Sequence, residues 1–130
     1  KREKDETSTK SLVNWRKDIR MYKYRIIIEP LAEEDIIRNA EYIAYDKKSS
    51  QAARDLVKGL RRAIKSLSVN PQRHMYDEDE ELAERKIRKH YYKNYKIYYM
   101  ISEEEKAIYI LRILHMLVDS KSLLLRVIKD

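Results

Sequence analysis

Three histidines, His74, His90 and His115, are the side chains of this chain best suited to move a proton near neutral pH, because an unperturbed imidazole titrates there. Beside them stands a run suited to negative charge. Arg85–Tyr99 (RKIRKHYYKNYKIYY) carries six basic residues, Arg85, Lys86, Arg88, Lys89, Lys93 and Lys96, with no acid and five tyrosines. Cations at this density can hold phosphates, and a tyrosine ring offers a flat face on which a base can stack. The same run also suits the solvated outer face of an antiparallel sheet. An acidic run, Asp77–Glu81, lies just upstream and could fold back on the basic one or stay apart as a solvated loop. Other chemistries lack their residues. There is no cysteine, which excludes a disulfide framework, thiol catalysis and a cysteine zinc site. Gly59 is the single glycine, so there is no glycine-rich phosphate loop and no dinucleotide fingerprint. No histidines and carboxylates fall at metal-ligand spacing, and no carboxylate pair is placed for acid–base work; Glu103–Glu105 reads as a turn.

The elements that must position these residues fit within 130 residues, the size of one domain. The net charge is +7 and the pI is near 9.5. Hydrophobic residues still make up 43% of the chain, which predicts a folded, basic, soluble domain rather than a disordered polyelectrolyte. The longest uninterrupted apolar runs, Ile97–Ile101 and Ala107–Leu111, are too short for a transmembrane helix or a signal-peptide core. Of the aromatics, 11 are Tyr, one is Trp and none is Phe, which also fits a small core with a wet edge.

Lys1–Arg20 is polar and charged and reads as an extension with a short helix around Ser11–Arg20; the domain is expected from Met21 to Asp130. Tyr22–Glu29 reads as a strand. Pro30 suits the first turn of a helix, and Ala32, Ile36, Ala40, Ile43 and Ala44 carry that helix to about Asp46. Ser49 or Ser50 can cap a second helix with the stripe Ala53, Leu56, Val57, Leu60, Ala63, Ile64 and Leu67, stopped by Asn70-Pro71. After a polar loop, Gln72–Glu81, three strands are expected at about Leu82–Tyr92, Tyr95–Ile101 and Ala107–Leu114, joined as an antiparallel meander. Ser120–Ile128 closes the chain as a helix. The fold class is α+β, in the order β-α-α-β-β-β-(α), with a helix hairpin on one face of a small, mainly antiparallel sheet. Alternation puts Lys86, Arg88, His90 and Tyr92 on one face of the first meander strand and Lys96 with Tyr98 on one face of the next. The sheet face away from the hairpin is expected to be open, basic and aromatic.

From Met21 onward the chain resembles the RelE/ParE family of bacterial type II toxin–antitoxin toxins. The matching stretches are YRIIIEPLAEEDIIRNAEYIAYD, with its P-x-A-x-x-D, a second helix ending in SLSVNPQRH, the strand NYKIYYMI, and YILRILHMLVD, with its I-x-R-I-x-H strand end. Each motif is short; their order and spacing carry the likeness over about 110 residues.

The resemblance implies a cytoplasmic toxin without a cofactor, neutralised by a cognate antitoxin. It implies one of two activities: RelE-like cleavage of mRNA in the ribosomal A site, or ParE-like poisoning of DNA gyrase without a catalytic group; an inactive antitoxin-binding descendant is a third possibility. In the cleavage reading His115 matches a C-terminal catalytic histidine, Lys96 matches a phosphate-stabilising arginine, and Arg112 supports charge stabilisation. Arg85, Lys86, Arg88, Lys89 and Lys93 would hold the nucleic acid, and Tyr92 or Tyr98 would stack on bases. Met116 stands where such nucleases often carry a tyrosine. Arg112 and His115 have opposite strand parity, so they meet at one site only if the strand ends or bulges between them. Arg112 also suits a structural role between sheet and tail.

Overall fold

The computed structural model describes residues 23–127; the expected helix near Ser11–Arg20 and the boundary at Met21 lie outside the described residues. The chain forms β1 (Arg25–Ile28), α1 (Pro30–Lys47), α2 (Ser50–Lys65), a short α3 (Glu80–Glu84), β2 (Arg88–Tyr92), β3 (Tyr95–Ser102), β4 (Ala107–His115) and α4 (Ser120–Val127). The four-stranded sheet has the order β1-β4-β3-β2. The meander is antiparallel, while β1 lies parallel to β4, with Ile26 opposite Ile108 and Ile28 opposite Ile110. A parallel neighbour needs a crossover, and the α1–α2 hairpin lies within that connection. This is the expected α+β architecture.

The local signals explain most boundaries. Pro30 starts α1, where its missing N–H has no partner to lose. Lys48 ends it in the left-handed region, and the Ser49 hydroxyl then accepts the Ala52 N–H at 3.0 Å to cap α2. Left-handed backbone recurs at Lys86, Lys93 and Lys106, so lysines turn four of the chain's corners. The expected strand from Leu82 is corrected: Leu82 belongs to α3, and β2 begins at Arg88. The Asp79 carboxylate accepts the Leu82 N–H, and Glu80 and Glu81 stand in the first turn, where acids favour a helix. Lys86, in the left-handed region at φ 63°, lies between α3 and β2.

The main core lies between the helix hairpin and one sheet face. Ile36, Leu60, Ile64 and Leu67 meet Ile97, Tyr99, Ile108, Ile110 and Ile113, all almost completely buried. The other face is covered too, which corrects the expectation of an open surface. Leu82, Ile87 and Leu124 pack there on Tyr98, Leu111 and Leu114. Tyr98 and Tyr99, neighbours on β3, point to opposite faces, Tyr98 into the smaller core and Tyr99 into the larger, and the pairing with β4 shifts register between them, where Tyr98 faces Arg112 and Tyr99 faces Ile110.

Gly59 serves this packing. A Cβ there would overlap the Tyr92 hydroxyl, so the missing side chain lets the Tyr92 ring lie against α2. Ala is favoured over Gly in a helix by about 1 kcal/mol, but here Gly59→Ala is expected to destabilise. In a Tyr92→Ala background the same substitution should stabilise by about 1 kcal/mol. Denaturant unfolding of the four members of this cycle measures the reversal of sign.

Candidate functional site

Arg112 is the best-fixed of the expected site residues, and its partner is Asp35 of α1. Arg112 Nε and Nη2 donate to the two Asp35 carboxylate oxygens at 2.7 and 2.9 Å. The same carboxylate accepts the Ile113 N–H at 2.9 Å and Arg38 Nη1 at 2.9 Å, so its lone pairs are occupied. Asp35 is fully buried and Arg112 is 9% exposed. One turn later, Asn39 Nδ2 donates to the Ile113 carbonyl at 3.3 Å. β1 ends at Ile28, opposite Ile110, and beyond it α1 supplies polar side chains to the edge of β4. Asp35 and Asn39 thus replace a neighbouring strand for Ile113. Arg112 binds this junction between α1 and β4.

Lys96 and His115 lie apart from it and from each other. Lys96 is paired with Leu114, and Tyr95 with His115. Leu114 belongs to the smaller core and Tyr95 to the larger one. Neighbours along a strand point to opposite faces, so Lys96 and His115 face opposite sides of the sheet. The irregularity in β4 precedes Arg112, so nothing between Arg112 and His115 brings them to one face. The His115 ring meets the Tyr95 ring edge-on at 5.5 Å. Its Nδ1 accepts the Leu117 N–H at 3.2 Å, leaving Nε2 as the proton-bearing nitrogen. Lys96 Nζ donates to the Val118 carbonyl at 3.2 Å and stands over the Tyr98 ring. Burial, followed by the neighbouring Lys89 charge, lowers the pKa of Lys96.

The basic hairpin is divided between the two faces. Arg88, His90 and Tyr92 lie on the helix-hairpin side, while Lys89 and Tyr91 share the other side with Lys96 and Tyr98. Tyr92, partly buried, packs on α2, and Tyr98 is 2% exposed in the smaller core. Arg88 donates to the carbonyls of Gln72 and His74 and lies 4.3 Å from the centre of the Tyr76 ring. Lys89 is paired with Asp77 at 3.2 Å and Glu78 at 2.7 Å. Burial pulls its pKa down, but hydrogen bonds with Glu78, Tyr91 and Asp77, together with the Asp77 charge, overcome this and raise it. Arg85 pairs with Glu81 at 3.6 Å. Lys86 and Lys93 are exposed at the bends flanking β2.

The other two histidines stack on one another, ring centres 4.2 Å apart. The His74 Nε2 is buried without a hydrogen-bond partner. Burial pushes His90 down to about 4, helped by the His74 and Arg73 charges; burial and Arg73 lower His74 as well. Among the described residues no group of three or more possible ligands is gathered for a metal.

In the sequence Asp35 stands only as an acid near the start of α1 and as the last residue of P-x-A-x-x-D, with no sign of its partner. Its signal was an acid at the same helical phase as the apolar stripe, with Ala32, Ile36 and Asn39 around it. Replacing Asp35 with Leu leaves the Arg112 charge buried and unpaired, at an expected cost of about 3–5 kcal/mol. Adding Arg112→Leu should recover part of that loss, because the Ile113 N–H is then the one buried donor to Asp35 left without its partner, the Arg38 side chain being exposed to water. Chemical denaturation of both variants checks the order. The histidine pair predicts an acid response. The unfolded chain takes up these protons below about pH 6.5, while folded His90 stays neutral to about 4. Stability therefore falls as pH drops through that window, by about 1 kcal/mol for a group of this partial burial. Unfolding between pH 7 and 5 should show a smaller slope in His90→Gln.

The comparisons with known proteins agree with this architecture. The crystal structure of the toxin–antitoxin complex RelBE2 from Mycobacterium tuberculosis contains a chain that matches with a TM-score of 0.50 and 24% identity, over 72% of this chain and 91% of that one. That likeness shows the fold. No curated protein matches the chain. The family model described as the ParE toxin of the type II toxin–antitoxin system parDE matches residues 26–119, from β1 through the strand end that holds Arg112 and His115. With the hairpin-covered sheet and the Asp35–Arg112 junction inside that span, the chain belongs to the ParE toxin family of type II toxin–antitoxin systems.

Proposed function

We propose that this toxin acts by binding its target, in the ParE-like manner on DNA gyrase, and that it is neutralised by a cognate antitoxin. The observation that carries this reading is the separation of Lys96, Arg112 and His115. Metal-free RNA cleavage needs a proton donor, a proton acceptor and cations around one phosphate. Here Arg112 is engaged by Asp35, and Lys96 and His115 lie on opposite sheet faces. A binding toxin needs no such gathering. It needs surface, and exposed apolar and aromatic side chains at Tyr42, Tyr45, Met116 and Leu117 supply it.

One feature favours the second reading, ribosome-dependent mRNA cleavage. His115 is only partly buried, and with Nδ1 occupied by Leu117 its Nε2–H could serve as a general acid. Two assays separate the readings. The purified chain is expected to inhibit gyrase supercoiling and to leave mRNA intact in a reconstituted translation system, and His115→Ala should inhibit gyrase as well as the native chain does. Cleavage of mRNA by the native chain, lost in His115→Ala, would overturn the binding reading.

A further inference from the structure

The basic face beside α4 already holds an anionic occupant, which is part of the same chain. Asp77 and Glu78 grip Lys89, and Asp79 and Glu81 lie 3.1 and 3.5 Å from Lys121 of α4. The segment is anchored at its first residue and at its middle. The Asp77 N–H donates to the Ile87 carbonyl at 2.9 Å, and Asp79 caps α3. The cations beneath form one field: Lys96 feels Lys89 as a like charge and Asp77, Asp119 and Glu78 as opposite ones, and it makes no ion pair among the described residues. Tyr91 stands directly opposite Lys96, is about half exposed, and has the Lys89 ammonium 5.3 Å from its ring centre. Ammonium groups alternating with an accessible ring are the surface that a single-stranded nucleic acid uses, with phosphates on the cations and a base on the ring. An acidic polypeptide would use the cations but has no need of the ring.

We propose that the Lys89–Lys96–Lys121 face with Tyr91 is a latent site for single-stranded nucleic acid, and that Asp77–Glu81 closes it by standing where phosphates would bind. The acids are held by contacts within the fold, so a strand must displace them to bind. Removing their charge should open the site, while the segment's backbone anchor and its Asp79 cap remain.

The test is read without gyrase, ribosome or antitoxin, so its outcome is independent of the toxin's target. A labelled 20-nucleotide oligouridylate is titrated with the full chain from 50 to 200 mM salt, and anisotropy is measured. Glu78→Gln/Glu80→Gln/Glu81→Gln is expected to bind about tenfold tighter than the native chain at 50 mM salt, with a steeper loss of affinity as salt rises. The single substitution Glu78→Gln, at an exposed carboxylate, should give a smaller gain in the same direction without disturbing the fold. Adding Lys96→Gln to the triple variant should remove most of the gain and place it on this face. Circular dichroism and melting verify that each variant is folded. Unchanged affinity in both folded Gln variants overturns the proposal. So does a gain that survives Lys96→Gln, and so does a gain for poly-L-glutamate with none for the oligouridylate.

Discussion

One buried carboxylate holds the helical layer to the sheet. Asp35 takes four donors from three residues, two of them from Arg112, one from Arg38 and one from the backbone of Ile113. Charges out of water are stable only when so fully partnered. The geometry fixes where α1 may lie, because a helix can satisfy the edge of a strand only through side chains at the right turn. With α1 fixed, the Asn39 contact one turn on and the packing of Ile36 follow. The last residues of β4 therefore pass from a strand neighbour to a helix neighbour, and His115 emerges at the end of that transition.

The two sheet faces differ in how they are closed. The hairpin side is a continuous apolar core. The other side is closed by a smaller apolar cluster, to which Leu82, Ile87 and Leu124 contribute, and by ion pairs from the acidic segment. Burial of carbon is not undone by salt, whereas pairs between exposed charges are weak and screened. The Lys89 pairs lie between these limits: the lysine side chain is 12% exposed, while that of Glu78 is 80% exposed. This side is therefore the more readily rearranged of the two, and the tail that begins after His115 lies across it.

The sequence made the helices legible because their signals are local: Pro30 at the first turn, the Ser49 cap, and the stripe from Ala53 to Leu67. The β3 and β4 strands were equally plain from their apolar content. Leu82 to Ile87 reads as strand from its apolar residues, which obscure the helix-start signal of Asp79, Glu80 and Glu81. Arg112 is conspicuous in the sequence and its partner is not, since the pair spans 77 positions and no periodicity links them. The P-x-A-x-x-D and I-x-R motifs meet in space, since their Asp35 and Arg112 form the buried ion pair. The division of the basic hairpin between two faces follows from register. Alternation alone groups Arg88, His90 and Tyr92 on one face and Lys96 with Tyr98 on one face, as the structure has them; which side of the sheet each group takes depends on the pairing of β2 with β3, which alternation within one strand does not give.

The left-handed lysines at positions 48, 86, 93 and 106 lie in a chain that has almost no glycine. An L-residue in that conformation costs about 1–2 kcal/mol relative to the right-handed region. Glycine would remove the strain but would enlarge the set of conformations open to the denatured chain, an entropic loss of about 0.4–1 kcal/mol per site. The two effects partly cancel, so these corners keep their ammonium groups at modest net expense. A polypeptide with so few flexible joints begins its collapse from a narrower ensemble, and part of what orders the native state is already present before any contact forms.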